Sequence, residues 1–177
     1  EPWSIYFKWL GKEGQGREAV YVKGRYEDKI HSLLAAGDIP FVPAGRRMAL
    51  SPDNILVRSA TRHPIPSAGV GAMIEKLGEI VTAQERGDKR VGTVSAVGPM
   101  SRSEFDRPVM GIEHSLPAGL DPSLPRGGKR TYFFDPEYGL PMLIYARDER
   151  NQEVEYYRYD RLQPNVKLDD ADFDPDI

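Results

Sequence analysis

Residues 131–159 constrain this chain more than any other stretch. Thr131-Tyr132-Phe133-Phe134 is followed by Pro141-Met142-Leu143-Ile144-Tyr145-Ala146. After the polar turn Arg147-Asp148-Glu149-Arg150-Asn151-Gln152 comes Glu153-Val154-Glu155-Tyr156-Tyr157-Arg158-Tyr159. β-Branched and aromatic residues suit a pleated surface, and a charged cluster between two such runs is turn chemistry. The stretch therefore reads as antiparallel strands. Its aromatics fall on both alternating faces, with Tyr157 and Tyr159 on one and Tyr156 and Val154 on the other. An antiparallel sheet usually keeps one face wet. Either these tyrosines occupy half-wet sites, or the sheet is covered on its second face by something apolar.

The rest of the chain is punctuated in the same way. Trp3, Ile5, Phe7 and Trp9 alternate with polar or half-polar neighbours, which predicts a first strand. Gly11-Lys12-Glu13-Gly14-Gln15-Gly16 is a turn, because its glycine spacing fits neither the dinucleotide fingerprint nor the P-loop. Strands are expected at residues 19–22, 29–35, 46–50, 54–58, 90–97 and 108–114, with loops at 37–45 and 116–128. Residues 67–86 read as the one clear helix. Val70, Met73, Ile74, Leu77, Ile80 and Val81 recur at threes and fours, Pro66 suits the first helical position and Gly87 the stop. Arg46, Arg47, Arg58, Arg62 and His63 make the only basic concentration, and guanidinium groups suit phosphate and carboxylate.

Composition excludes more than it selects. The chain has 177 residues, 40% hydrophobic and 29% charged, which favours one folded domain, residues 1–177, over disorder. The 17 glycines and 15 prolines argue for many turns and a β-rich fold. A net charge of −3 gives no global basic excess for nucleic acid. The absence of cysteine removes disulfides, thiolate metal sites and a thiol nucleophile. His31, His63 and His114 are isolated, and no Gly-x-Ser-x-Gly elbow occurs. Asp170, Asp172 and Asp174 alternate in the tail, but neither the glycine nor the bidentate glutamate of a calcium loop follows. No enzyme activity, metal or cofactor is expected. The tail is expected to be solvated, with Phe173 returning to the core. The chain begins at Glu1 within a strand, so elements upstream, including a removed signal peptide, are expected to be missing.

Three blocks carry a resemblance. They are Gly16-Arg17-Glu18-Ala19-Val20-Tyr21-Val22-Lys23-Gly24, Arg62-His63-Pro64-Ile65 ahead of the helix, and Asn165-Val166-Lys167-Leu168-Asp169-Asp170-Ala171-Asp172-Phe173-Asp174. In order and spacing they resemble a bacterial envelope family, domain of unknown function 1571. The chain departs from it at Pro66-Ser67, where the family tends to carry a Thr-Glu capping pair, and by lacking the family's upstream strands. That family is similar to the periplasmic lipoprotein carriers and lipid-binding lipoproteins of the LolA and LppX type. The resemblance implies a mainly β (α+β) fold: a strongly curved antiparallel sheet, an open half-barrel, with one main amphipathic helix packed on its concave face. It also implies a periplasmic or cell-envelope location and a non-catalytic role in holding a hydrophobic ligand.

On that reading the partner is a lipid or a lipoprotein acyl chain. Met73, Ile74 and Leu77 of the helix and Tyr132, Phe134, Tyr157 and Tyr159 of the sheet would line its site, and Arg58 and Arg62 would meet a head group at the rim. The alternative is a structural or protein-interaction module of the envelope with a filled core and another envelope protein as partner. Peripheral or anchored membrane association stays open under both.

Overall fold

The structure is a computed structural model that describes residues 2–61 and 63–176, without the side chain of Ala60. It is mainly β, with two open antiparallel sheets and one main helix. The strands expected from the sequence thus divide between two sheets instead of sharing one. They belong to two compact units, residues 1–69 with 165–177 and residues 70–164.

The first unit holds a four-stranded meander, β1 (Ser4–Lys8), β2 (Glu18–Val22), β3 (Ile30–Leu33) and β4 (Arg47–Leu50), paired in sequence order. The alternation that predicts β1 has the consequence expected of it. Trp3, Ile5, Phe7 and Trp9 pack together with Ala19, Tyr21 and Ile30 on one face. Tyr6, Val20, His31 and Ala49 are cross-strand partners in register, as are Lys8, Glu18, Leu33 and Arg47. The second of these rows carries an ion pair, Lys8 Nζ to Glu18 Oε1 at 2.8 Å.

Residues 54–58 are not a strand. They start a short helix, α1 (Ile55–Ala60). Asn54 caps it by accepting a hydrogen bond from the Leu56 N–H at 2.9 Å, and Val57 packs onto the sheet. A short apolar run does not separate strand from helix by periodicity, and the cap residue decides here. Pro66 also has a different place from the expected one. It lies in a 3-10 turn, Ile65–Ser67, and Gly69 at φ +95° separates that turn from the main helix.

The C-terminal segment closes the first unit. Asp169 and Asp172 form a reciprocal capping box on a 3-10 turn, Asp170–Phe173. Arg25 pairs with Asp170 at 2.7 Å, and Arg47 donates to the Pro175 carbonyl. Phe173 is half-buried, so the tail is anchored as well as solvated, with Asp169, Asp172 and Asp174 accepting local backbone hydrogen bonds.

The second unit consists of α2 (Val70–Glu85) and a five-stranded meander: β5 (Thr93–Met100), β6 (Val109–Leu116), β7 (Gly128–Phe134), β8 (Pro141–Asp148) and β9 (Glu153–Arg158). Register shifts at Val97/Pro99, Phe133/Phe134 and Ala146/Arg147 are the kind of irregularity that bends and further twists a sheet. The helix is tied to β5 through Gln84. Its amide donates to the Val94 carbonyl at 3.0 Å and its side-chain oxygen accepts from the Val94 N–H.

Both faces of this sheet are covered by the chain itself, which accounts for aromatics on both sides. Leu77 of α2 packs with Tyr132 and Ile144 on one face. On the other, Met100 at the end of β5 and Phe105 from the β5–β6 connection pack with Val109, Phe133, Leu143 and Tyr145. There the Arg102 guanidinium lies 4.8 Å from the Phe133 ring centre and 5.4 Å from that of Tyr145. Cation–π contact and apolar burial together hold that face.

Candidate functional site

The helix-covered face of the five-stranded sheet gathers most of the residues singled out from the sequence. Leu77, Tyr132 and Ile144 are its buried centre, at 6%, 6% and 5% exposure. Met73, Ile112, Phe134 and Tyr159 pack around them and are only partly covered. The strand pairings explain the convergence. Ile112 is opposite Tyr132, Tyr132 opposite Ile144, and Ile144 opposite Tyr157, so these side chains emerge in one row across β6, β7, β8 and β9.

The expected lining residues do not all share one environment. Met73, Leu77, Tyr132, Phe134 and Tyr159 come together. Ile74 lies one position around the helix and is 42% exposed, and Tyr157, at the edge strand, is 40% exposed. Leu77 is the one buried residue of α2; Val70, Met73, Ile80 and Val81 are half-buried. The apolar stripe is therefore wider than the sheet surface that covers it. Arg58 lies in α1 of the first unit, and Arg62 falls outside the described residues.

A buried polar cluster was not foreseen from the sequence. The Arg130 side chain, 11% exposed, gives one guanidinium nitrogen to Asp121 Oδ2 at 2.7 Å and the other to Glu155 Oε2 at 3.0 Å. The second nitrogen also donates to Ser123 Oγ at 3.0 Å, and that hydroxyl donates to Asp121 Oδ1 at 2.7 Å. Burial alone would weaken the charged guanidinium, but Glu155 and Asp121 outweigh it and Arg130 is held more firmly protonated than usual. Burial likewise opposes ionisation of Asp121, yet hydrogen bonds from Ser123 and Arg130 keep its carboxyl below the ordinary range. Tyr132, two residues along β7, has its hydroxyl pKa raised by burial against the pull of Arg130. The sequence signal was the phase: Arg130 alternates with Thr131 in step with Tyr132, and Glu155 in step with Tyr157 and Tyr159.

His114 lies on the strand beside this cluster, opposite Arg130 in register. It is 1% exposed and its Nε2 is 2.6 Å from the Val91 carbonyl. Its Nδ1 has no hydrogen-bond partner. Among the described residues no group of three or more His, Asp or Glu is arranged to hold a metal ion.

The first unit contains a cavity of about 520 Å³ between a sheet face and the C-terminal segment, lined by Tyr6, Val20, His31, Leu33, Arg47 and Asp172, among others. Its volume suits a small ligand. Its charged lining differs from the apolar surface along α2.

No curated protein and no solved structure matches this chain. A model of the family described as "Protein of unknown function (DUF1571)" matches residues 1–177. The chain belongs to that family.

Proposed function

We propose that this chain is a non-catalytic binding module of the cell envelope that holds the apolar part of a lipid, or a lipoprotein acyl chain, along α2 and the helix-covered face of the five-stranded sheet. The observation that supports this reading is incomplete coverage. Around the Leu77–Tyr132–Ile144 centre, Met73, Phe134 and Tyr159 are only partly covered, and Ile74 and Tyr157 are exposed. Contiguous apolar surface left open beside a rigid centre is what an acyl chain would complete. Each buried methylene contributes about 0.8 kcal/mol, so covering roughly eight gives about 6 kcal/mol, a dissociation constant in the tens of micromolar. The resemblance to carriers of the LolA and LppX type, drawn from the sequence alone, points to the same class of ligand and an envelope location.

The test is uptake of a fluorescent fatty acid, with native mass spectrometry and lipid extraction of protein purified from a bacterial periplasm. Leu77 is too buried to serve as a clean probe, since a charge there would disrupt the core. Ile74→Glu alters an exposed position instead. It should leave the circular dichroism unchanged and reduce uptake at least tenfold. Uptake equal to that of the unmodified chain would refute the proposal. A second reading, a protein-interaction module, is favoured by one observation: β9 is an edge strand carrying Tyr156 and Tyr157 at 44% and 40% exposure. Edge strands with exposed aromatics suit strand addition by a partner. Protein that purifies without lipid and takes up none would favour it.

A further inference from the structure

The connection between β3 and β4 in the first unit presents a different kind of surface from the α2 face. Residues 39–45 read Ile-Pro-Phe-Val-Pro-Ala-Gly, seven positions without a charge, followed by Arg46 and Arg47. Phe41 is at 106% exposure, so its ring rests on nothing. Its backbone is left-handed, at φ +65°, a conformation that bulky residues rarely adopt without a holding structure.

That holding structure is present at the base of the loop. The ladder of β3 and β4 continues through the Leu34 N–H to the Arg46 carbonyl at 2.9 Å and the Gly45 N–H to the Leu34 carbonyl at 2.8 Å. The Asp38 carboxylate accepts from the Ala35 N–H and from Arg17 Nε, each at 2.8 Å. The Val42 N–H closes the tip onto the Ile39 carbonyl at 3.1 Å. The loop is therefore presented in one shape, and docking it would order little further chain.

We propose that this loop is a membrane-docking tip, with Phe41 entering the acyl boundary of a phospholipid bilayer and Arg46 meeting lipid phosphate. Three features select a bilayer over a protein pocket. The tip is a narrow apolar turn and not a broad patch. Pro40 and Pro43 carry no N–H, and the Val42 and Gly45 N–H groups are already bonded, which lowers the number of bare donors the tip would bring toward the apolar layer. A guanidinium immediately beside the apolar residues matches the depth order of acyl chain and phosphate at an interface. The proposal concerns the first unit alone and stands apart from ligand binding along α2.

Co-sedimentation with vesicles tests it, using phosphatidylcholine alone and phosphatidylethanolamine with phosphatidylglycerol. The full chain should partition onto both, more strongly onto the anionic vesicles, with a preference that added salt weakens. Phe41→Ser should lower partitioning at least about tenfold on both. Arg46→Ser should remove about fivefold on the anionic vesicles and less on phosphatidylcholine. Tyr138→Ser, at an aromatic residue 64% exposed in the second unit, should change nothing. Wild-type protein left in the supernatant, as expected of a loop that seats in a protein, would overturn the proposal. So would equal partitioning of Phe41→Ser, or loss of its fold by tryptophan fluorescence, since a ring that packs on nothing is not needed for folding.

Discussion

Replacing Arg130 by methionine keeps most of the aliphatic stem and removes only the charge and its donors. Glu155, whose side chain is 1% exposed, would be left inside without its guanidinium partner, and Asp121, at 18%, would lose its contact at 2.7 Å. Removing one partner of a buried ion pair costs about 3–5 kcal/mol, because the remaining charge stays desolvated after losing that partner. Domains of this size are stable by about 5–15 kcal/mol, so Arg130→Met should forfeit about a fifth or more of that. With a urea slope of about 1–3 kcal/mol per molar, the midpoint followed by far-ultraviolet circular dichroism should fall by about 2 M. Dichroism is the appropriate signal because Trp3 and Trp9, the only tryptophans, belong to the first unit. A second replacement, Glu155→Met, should recover much of the loss, since apolar residues fill a former ion-pair site without an orphaned charge. The pH dependence has a defined sign. Asp121 has a depressed folded pKa, so its contribution is present above the ordinary carboxylate pKa and is lost as pH falls through the folded value. The cost of Arg130→Met should therefore be greatest near neutral pH and shrink as pH falls through that value. A midpoint shift below about 0.5 M with unchanged slope, or a double variant no more stable than the single one, would refute the account of this cluster.

Three further substitutions test other joints of the fold. Asp38→Asn weakens the Arg17 clamp, whose hydrogen bond holds the Asp38 carboxyl below its usual range; it should cost about 1–2 kcal/mol and lower the thermal midpoint by about 5–10 °C. Tryptophan fluorescence would report it, because the Arg17 guanidinium sits 5.2 Å from the Trp9 ring centre. Gly92→Ala should cost at least about 3 kcal/mol in chemical unfolding, because at φ +85° its Cβ would lie 2.1 Å from the Ser115 carbonyl oxygen. Gly16→Ala has a similar φ of +84° but no atom within 4 Å, and should cost only about 1–2 kcal/mol in the same measurement.

The local elements were largely legible in the sequence, whereas their partners were not. Alternation of Trp3, Ile5, Phe7 and Trp9, and of the aromatic runs after Thr131, specifies strands because a period of two places every second side chain on one face. The stripe from Val70 to Val81 specifies α2 for the corresponding reason at 3.6 residues per turn. Ile55-Leu56-Val57 was misread because three apolar residues fit both periods, and only the Asn54 cap separates them. Two sheets in place of one were not legible, because alternation fixes a strand's face and not its neighbour. Within the candidate site, the packing was legible where it follows the helix stripe, at Met73 and Leu77, and where strand phase aligns Tyr132 with Phe134 and Tyr159. The Arg130–Asp121–Glu155 cluster was missed because its members are 9 and 25 positions apart and become neighbours only through strand pairing and the β6–β7 loop.

The first unit is encoded in two pieces, with residues 70–164 between them. During synthesis, all of the second unit is made before residues 165–177. At about 5–20 residues per second, the interval is about 5–20 s. Through that time the four-stranded sheet exists without Asp170 and the Pro175 carbonyl that later engage Arg25 and Arg47, and its cavity has no C-terminal wall. The nascent chain thus has a built-in order of assembly, in which residues 165–177 complete a unit begun before residues 70–164 were made.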